Sequence, residues 1–124
     1  MHVLIIEDEP FIAMAIEDAL RGYGCKSFHF ATNFEKAVEA AKLQCPDLIT
    51  ADVKLAPGCG IDAVAAICND APIPVIFITS SVSEVEARRP GSVILAKPFD
   101  EGRIKHALDL ALASNGGSSP LAVS

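Results

Sequence analysis

Apolar positions along this chain fall into two alternating patterns. Val3–Ile6 is a continuous apolar run closed by Glu7-Asp8-Glu9-Pro10, the mark of a strand buried on both faces. Ile12, Ile16, Ala19, Leu20 and Tyr23 then recur at helical spacing, with Pro10 suited to a first turn and Gly22 and Gly24 to an end. The pair repeats. Lys26–Phe30 predicts a second strand. Thr32 or Asn33 caps a helix whose face carries Phe34, Ala37, Val38, Ala41 and Cys45, stopped by Pro46. Leu48–Asp52 predicts a third strand ending on an acid. A loop with Pro57, Gly58 and Gly60 follows, then a helix striped by Ile61, Val64, Ala65 and Cys68. Pro74–Ile78 and Ser92–Ala96 predict strands four and five. Between them, Val82–Arg89 is a short, weakly amphipathic helix. Ile104, Ala107, Leu108, Ala111 and Leu112 mark a last helix, with Asp100 as its cap. Strand and helix alternate five times, which predicts an α/β fold: an open, doubly wound parallel sheet with helices on both faces. Residues 1–113 read as one domain and 114–124, rich in Ser and Gly, as a flexible tail or the start of a linker.

Composition narrows what such a domain does. At 124 residues the chain is long enough for one real core, and its mean hydropathy of +0.38 excludes intrinsic disorder. Ten Lys and Arg against 16 Asp and Glu give a formal charge of −6. No basic patch is available to neutralise nucleic-acid phosphates or to hold an anionic lipid surface. The N-terminus turns acidic after a few apolar residues, unlike a secretory leader, and no apolar run is long enough to span a membrane. A cytoplasmic protein is expected. Cys25, Cys45, Cys59 and Cys68 show neither C-x-x-C pairing nor a partnering histidine. Cys45 and Cys68 are expected on apolar helix faces, and Cys59, with no evident cation nearby, is expected to be unreactive. His2, His29 and His106 share no spacing and read as structural or solvent-facing.

Ligands of open α/β sheets bind beyond the carboxyl ends of the strands. Strand one is followed by Glu7 and Asp8, strand three ends on Asp52, strand four is followed by Thr79 and strand five by Lys97. Singly, each has a plain explanation: a turn former, a solvated charge, a helix cap, a surface lysine. Together they carry complementary chemistry. Converging carboxylates repel unless a cation sits among them, and an oxygen-only donor set suits Mg²⁺ or Mn²⁺. A carboxylate nucleophile with a hard metal, a lysine and a hydroxyl is an apparatus for accepting a phosphoryl group.

The acidic pair Glu7-Asp8, Asp52 closing strand three, Thr79 closing strand four and Lys97-Pro98-Phe99 after strand five resemble the receiver domain of two-component response regulators. The resemblance covers residues 2 to about 113. It implies a flavodoxin-like receiver fold with strand order 2-1-3-4-5, and Asp52 as phosphoacceptor. Asp8 would bind Mg²⁺ (or Mn²⁺) directly and Glu7 mainly through water, with Asp52 and the Lys54 backbone carbonyl as further ligands. Thr79 would be the switch hydroxyl, Lys97 would bind the phosphoryl group, and the Lys97–Pro98 bond would be cis. The partners implied are a histidine kinase or histidine phosphotransfer protein as donor and a downstream protein as receiver of the signal. Neither nucleic acid nor membrane is expected to be bound, and the chain is expected to be a monomer or weak dimer. The resemblance implies a signalling switch or phosphorelay component and not an enzyme, beyond slow loss of its own phosphoryl group.

Three features depart from the family pattern. Ile94 stands three residues before the lysine, where an aromatic is usual. Only 17 residues separate Thr79 from Lys97, which shortens the fourth helix, cut off by Pro90-Gly91. Lys54, two residues after Asp52, is placed to reach over the site and change phosphoaspartate lifetime. Other readings are a small Mg²⁺-dependent aspartyl phosphohydrolase, a degenerate receiver acting as a binding module, and a flavin mononucleotide binder. The hydrolase lacks the second acid two residues after its nucleophile, where Lys54 stands. The flavin reading fails because Glu7-Asp8-Glu9-Pro10 repels a phosphate. Phe11 and Met14 lie off the main stripe of the first helix and are expected to be partly exposed, as a candidate partner patch.

Overall fold

A computed structural model describes residues 1–55, 57–69 and 71–115. The elements run β1 (His2–Ile6), α1 (Pro10–Arg21), β2 (Ser27–Ala31), α2 (Phe34–Leu43), β3 (Leu48–Ala51), α3 (Gly60–Cys68), β4 (Val75–Thr79), α4 (Val82–Arg88), β5 (Val93–Ala96) and α5 (Glu101–Asn115). All strand pairings are parallel and the sheet order is β2-β1-β3-β4-β5. This is the doubly wound α/β architecture expected from the alternation. α4 is the shortest helix, as the spacing predicts. α5 includes Ser114 and Asn115; residues 116–124 of the predicted tail lie outside the described residues.

The sheet divides the interior into two halves, because alternate side chains of each strand point to opposite faces. Val3, Ile5, Leu48, Ile76, Ile78 and Leu95 pack with α1 and α5. Leu4, Ile6, Ile49, Ala51 and Phe77 pack with α2, α3 and Val85 of α4. Ile94 joins the second half, partly buried on the α4 side and paired in register with Phe77. Side-chain oxygens end the exposed N–H groups of two helices: Asn33 Oδ1 accepts from the Lys36 amide, and Asp100 Oδ1 from that of Arg103, both at 2.9 Å.

Several details differ from the sequence pattern. α1 stops at Arg21, so Tyr23 lies beyond it. On α3 the buried positions include Ala63 and Ile67, whereas Ala65 is exposed. Cys68 packs partly buried against the core, but Cys45 is exposed, because α2 already ends at Leu43. Phe11 and Met14 are indeed exposed, at 85% and 56%.

One interior atom is out of place energetically. Thr50 lies between Ile5 and Ile76 in the sheet, and its buried hydroxyl has no hydrogen-bond partner among the described residues. A buried unpaired hydroxyl carries a desolvation penalty that an isosteric methyl removes. Thr50→Val is expected to stabilise the protein by about 1 kcal/mol and raise Tm by about 3–6 °C in a thermal melt. An unchanged or lower Tm would show that the hydroxyl finds a partner in solution.

Candidate functional site

The carboxyl ends of β1, β3, β4 and β5 meet at one rim of the sheet. Neighbouring parallel strands ending in register place their following residues side by side. Glu7 directly follows β1, Asp52 follows β3, Thr79 closes β4 and Lys97 follows β5. Carboxylate oxygens of Glu7, Asp8, Glu9 and Asp52 all lie within 4.8 Å of one another. Glu7 and Asp52 are buried, Asp8 half-buried and Glu9 exposed. Lys97 is the cation among them: its Nζ donates to Asp52 Oδ2 at 2.9 Å and Glu7 Oε1 at 3.0 Å, and lies 3.7 Å from Glu9 Oε2. The other Asp52 oxygen, Oδ1, accepts from the Val53 amide at 2.7 Å.

The charges shift one another. Burial pushes the Glu7 carboxyl above its ordinary range; the Lys97 hydrogen bond and charge pull it down, Asp52 pushes it up, and the net direction is upward. For Lys97, burial works to lower the ammonium pKa, but the bonds and charges of Asp52 and Glu7 outweigh it and the pKa is raised. Lys97 is thus held firmly charged by two acids, one of which is itself reluctant to ionise.

Thr79 is buried, and its Oγ1 accepts from the Ser81 amide at 2.9 Å, just before α4. The Lys97 amide donates to the Thr79 carbonyl at 3.0 Å, and the Lys97–Pro98 peptide is cis. A shallow groove of about 330 Å³ over the rim is lined by Asp8, Glu9, Asp52, Lys54, Ser80, Ser81 and Lys97. The exposed Lys54 pairs with Cys59 in a short antiparallel bridge that closes the loop after Asp52.

All the residues singled out from the sequence are therefore brought to one place, except that the Thr79 hydroxyl is turned to the Ser81 amide. Three contributors escaped the sequence reading. Glu9 joins the acidic cluster. Gly60 is required for space: a Cβ there would sit 1.5 Å from the Asp52 carbonyl oxygen, and its amide donates to the Val53 carbonyl at 2.7 Å. Arg88 places its guanidinium 3.6 Å from Cys59 Sγ, so that thiol has a cationic neighbour after all. Glu9 was legible in the Glu-Asp-Glu-Pro run; the other two depend on how α3 and α4 dock and left no sequence signal.

The donor set fits a hard divalent cation: four clustered carboxylates, with Lys97 the cation bonded among them. The response regulator receiver domain model matches residues 3–109. The chain belongs to the receiver domain family. Phyllosphere-induced regulator PhyR of Methylorubrum extorquens is 38% identical over 115 residues, covering 90% of this receiver and 43% of PhyR. Chemotaxis protein CheY of Thermotoga maritima is 32% identical over 113 residues, covering 87% of this receiver and 94% of CheY. Among solved structures, the receiver domain of Erythrobacter litoralis PhyR superposes with a TM-score of 0.87 at 35% identity, covering 95% of this receiver and 94% of that chain. The receiver thus spans less than half the length of the Methylorubrum PhyR and nearly all of the Thermotoga CheY. Among the described residues, no helix is long and apolar enough to cross a membrane.

Proposed function

We propose that this receiver is a phosphorylation-dependent switch in which Asp52 accepts a phosphoryl group from a phosphohistidine of a kinase or phosphotransfer protein. The observation that carries the reading is the convergence of Asp52 and Glu7, which follow β3 and β1, within hydrogen-bonding distance of the Nζ of Lys97, which follows β5. In the transfer, a phosphorus–oxygen bond forms to the Asp52 carboxylate as the phosphorus–nitrogen bond breaks, and the leaving imidazole keeps the electron pair and takes up a proton. Lys97 stays charged throughout and bonds a phosphoryl oxygen in place of the carboxylate oxygen it now holds. Asp8, Glu7, Asp52 and the Lys54 carbonyl would hold Mg²⁺, which supplies charge to offset the transferring oxygens. Thr79 would exchange its bond with the Ser81 amide for one to the phosphoryl group. Output would pass through protein contacts in the cytoplasm, with the exposed Phe11 and Met14 of α1 as a patch for the donor. The lysine at position 54, where an acid would be needed to activate water repeatedly, supports a switch over a hydrolase.

The test is intact mass after incubation with acetyl phosphate and Mg²⁺. A single phosphoryl adduct is expected for the wild type. It should be absent in Asp52→Asn and absent when EDTA removes the metal. An adduct that persists in Asp52→Asn would place the chemistry elsewhere and overturn the reading. In the same assay, Lys54→Ala is expected to change the rate of adduct loss by about threefold or more, since Lys54 lines the groove over Asp52. An unchanged rate would show that the Lys54 side chain does not govern phosphoryl lifetime.

A further inference from the structure

α4 has few anchors of its own. It is seven residues long, its one buried side chain is Val85, and Pro90-Gly91 follows almost directly, with Gly91 at φ +86°. Its seat is set at its two ends. At the leading end the Ser81 amide is held by Thr79 Oγ1 at 2.9 Å. At the trailing end Arg88 Nη2 bonds Asp62 Oδ1 at 2.6 Å, and Nη1 donates to Cys59 Sγ at 3.6 Å. Asp62 lies in the first turn of α3 and Cys59 just before it. That turn is itself clamped to the chain after Asp52 through the Gly60 amide and the Val53 carbonyl. Both tethers of α4 therefore lead back to the phosphoacceptor, one along β4 and one through the loop between β3 and α3.

We propose that the Arg88–Asp62 pair is a latch that holds α4 in its unphosphorylated seat and so opposes occupation of the site. The inference rests on the switch reading above. On that reading the phosphoryl group takes Thr79 away from Ser81 and frees the leading end of α4, while Arg88 still restrains the trailing end. A restraint that favours the empty state must weaken binding of any ligand that favours the other, by the same factor. The pair is solvent-exposed, so the expected factor is small, about two- to fivefold, and salt must screen it.

The test uses the full chain with Mg²⁺ and beryllofluoride, a phosphoryl mimic, titrated by amide NMR, together with hydrogen exchange of residues 82–89 before the mimic is added. Arg88→Gln is the decisive variant because it leaves α3 intact; Asp62→Asn, the double variant and the exchanged pair Arg88→Asp with Asp62→Arg complete the cycle. Each single variant is expected to bind the mimic two- to fivefold more tightly and to exchange faster in α4. The double variant should go no further than either single one, the exchanged pair should return part of the effect, because it also sets an acid one turn from Glu84, which Arg88 now faces at 3.8 Å, and about 0.5 M NaCl should erase the differences. Unchanged affinity in Arg88→Gln, or additive effects in the double variant, would overturn the latch. Failure of the wild type itself to bind the mimic would instead overturn the switch reading on which it rests, which separates the two failures.

Discussion

Gly60→Ala is expected to lower stability by about 3 kcal/mol or more and to depress Tm by about 10 °C or more. The reason is space alone. The added Cβ would lie 1.5 Å from the Asp52 carbonyl oxygen and 2.7 Å from its carbonyl carbon, both backbone atoms that no rotamer change can move aside. The first turn of α3 must retreat, and the 2.7 Å bond from the Gly60 amide to the Val53 carbonyl goes with it. The same retreat displaces the Asp52 backbone. A shift of about 1 Å at a reacting group can cost on the order of a hundredfold in rate, so acetyl phosphate should label the variant at least tenfold more slowly under conditions where it remains folded. Gly102→Ala is the control. It lies on α5, its new Cβ would meet nothing closer than Asp100 Oδ1 at 3.4 Å, and it is expected to be neutral or stabilising by up to about 1 kcal/mol. Equal melting of wild type and Gly60→Ala would mean that the loop after Asp52 yields easily, against the close approach seen here.

The second large effect falls on Lys97. In Lys97→Gln the buried Glu7 and Asp52 keep their charges and lose the cation between them. Removing one member of a buried pair generally costs about 3–5 kcal/mol; with Asp52 and Lys97 near the rim, about 2–4 kcal/mol is expected at pH 8 without metal. The pH dependence has a definite sign. Burial already raises the Glu7 pKa, and the variant removes the Lys97 bond and charge that pull it back. A carboxyl whose pKa is higher in the folded than in the unfolded chain takes up a proton more readily when folded. Its contribution is then fully present below its unfolded pKa and lost as pH rises through the folded value. Lys97→Gln should therefore gain stability between pH 8 and pH 5 in urea denaturation, and millimolar Mg²⁺ at pH 8 should restore part of the loss. A variant that is flat with pH, or that weakens on acidification, would show that Glu7 is not the strained charge.

Most of the fold was legible because its physics is local. Continuous apolar strands and striped helices follow from burial on two faces or one, and that pattern located all ten elements to within a few residues. The rim residues were legible for a related reason. A polar side chain at the end of an otherwise apolar strand has no packing role, so Glu7, Asp8, Asp52, Thr79 and Lys97 stand out against Val3–Ile6, Leu48–Ala51 and Val75–Ile78. What escaped depends on docking. Ala65 and Ile67 sit on one short helix, and only its rotation against α2 decides which is buried. Cys45 seemed to continue the α2 stripe, but the helix ends two residues earlier. Gly60 looked like loop punctuation and is a contact. Arg88 lies 26 residues from Asp62 in sequence, and no periodicity links them.

The split of the interior by a single apolar sheet has a consequence for how such a molecule could be read by others. Among the described residues, α2, α3 and α4 pack on one face of the sheet and α1 and α5 on the other, with the strands between them. A rearrangement seated in α4 can be absorbed there without repacking α1. A protein that grips the α1 side would then meet the same surface before and after the chemistry, while one that grips the α4 side would meet two different ones. The chain would present a constant address on one face and a variable message on the other.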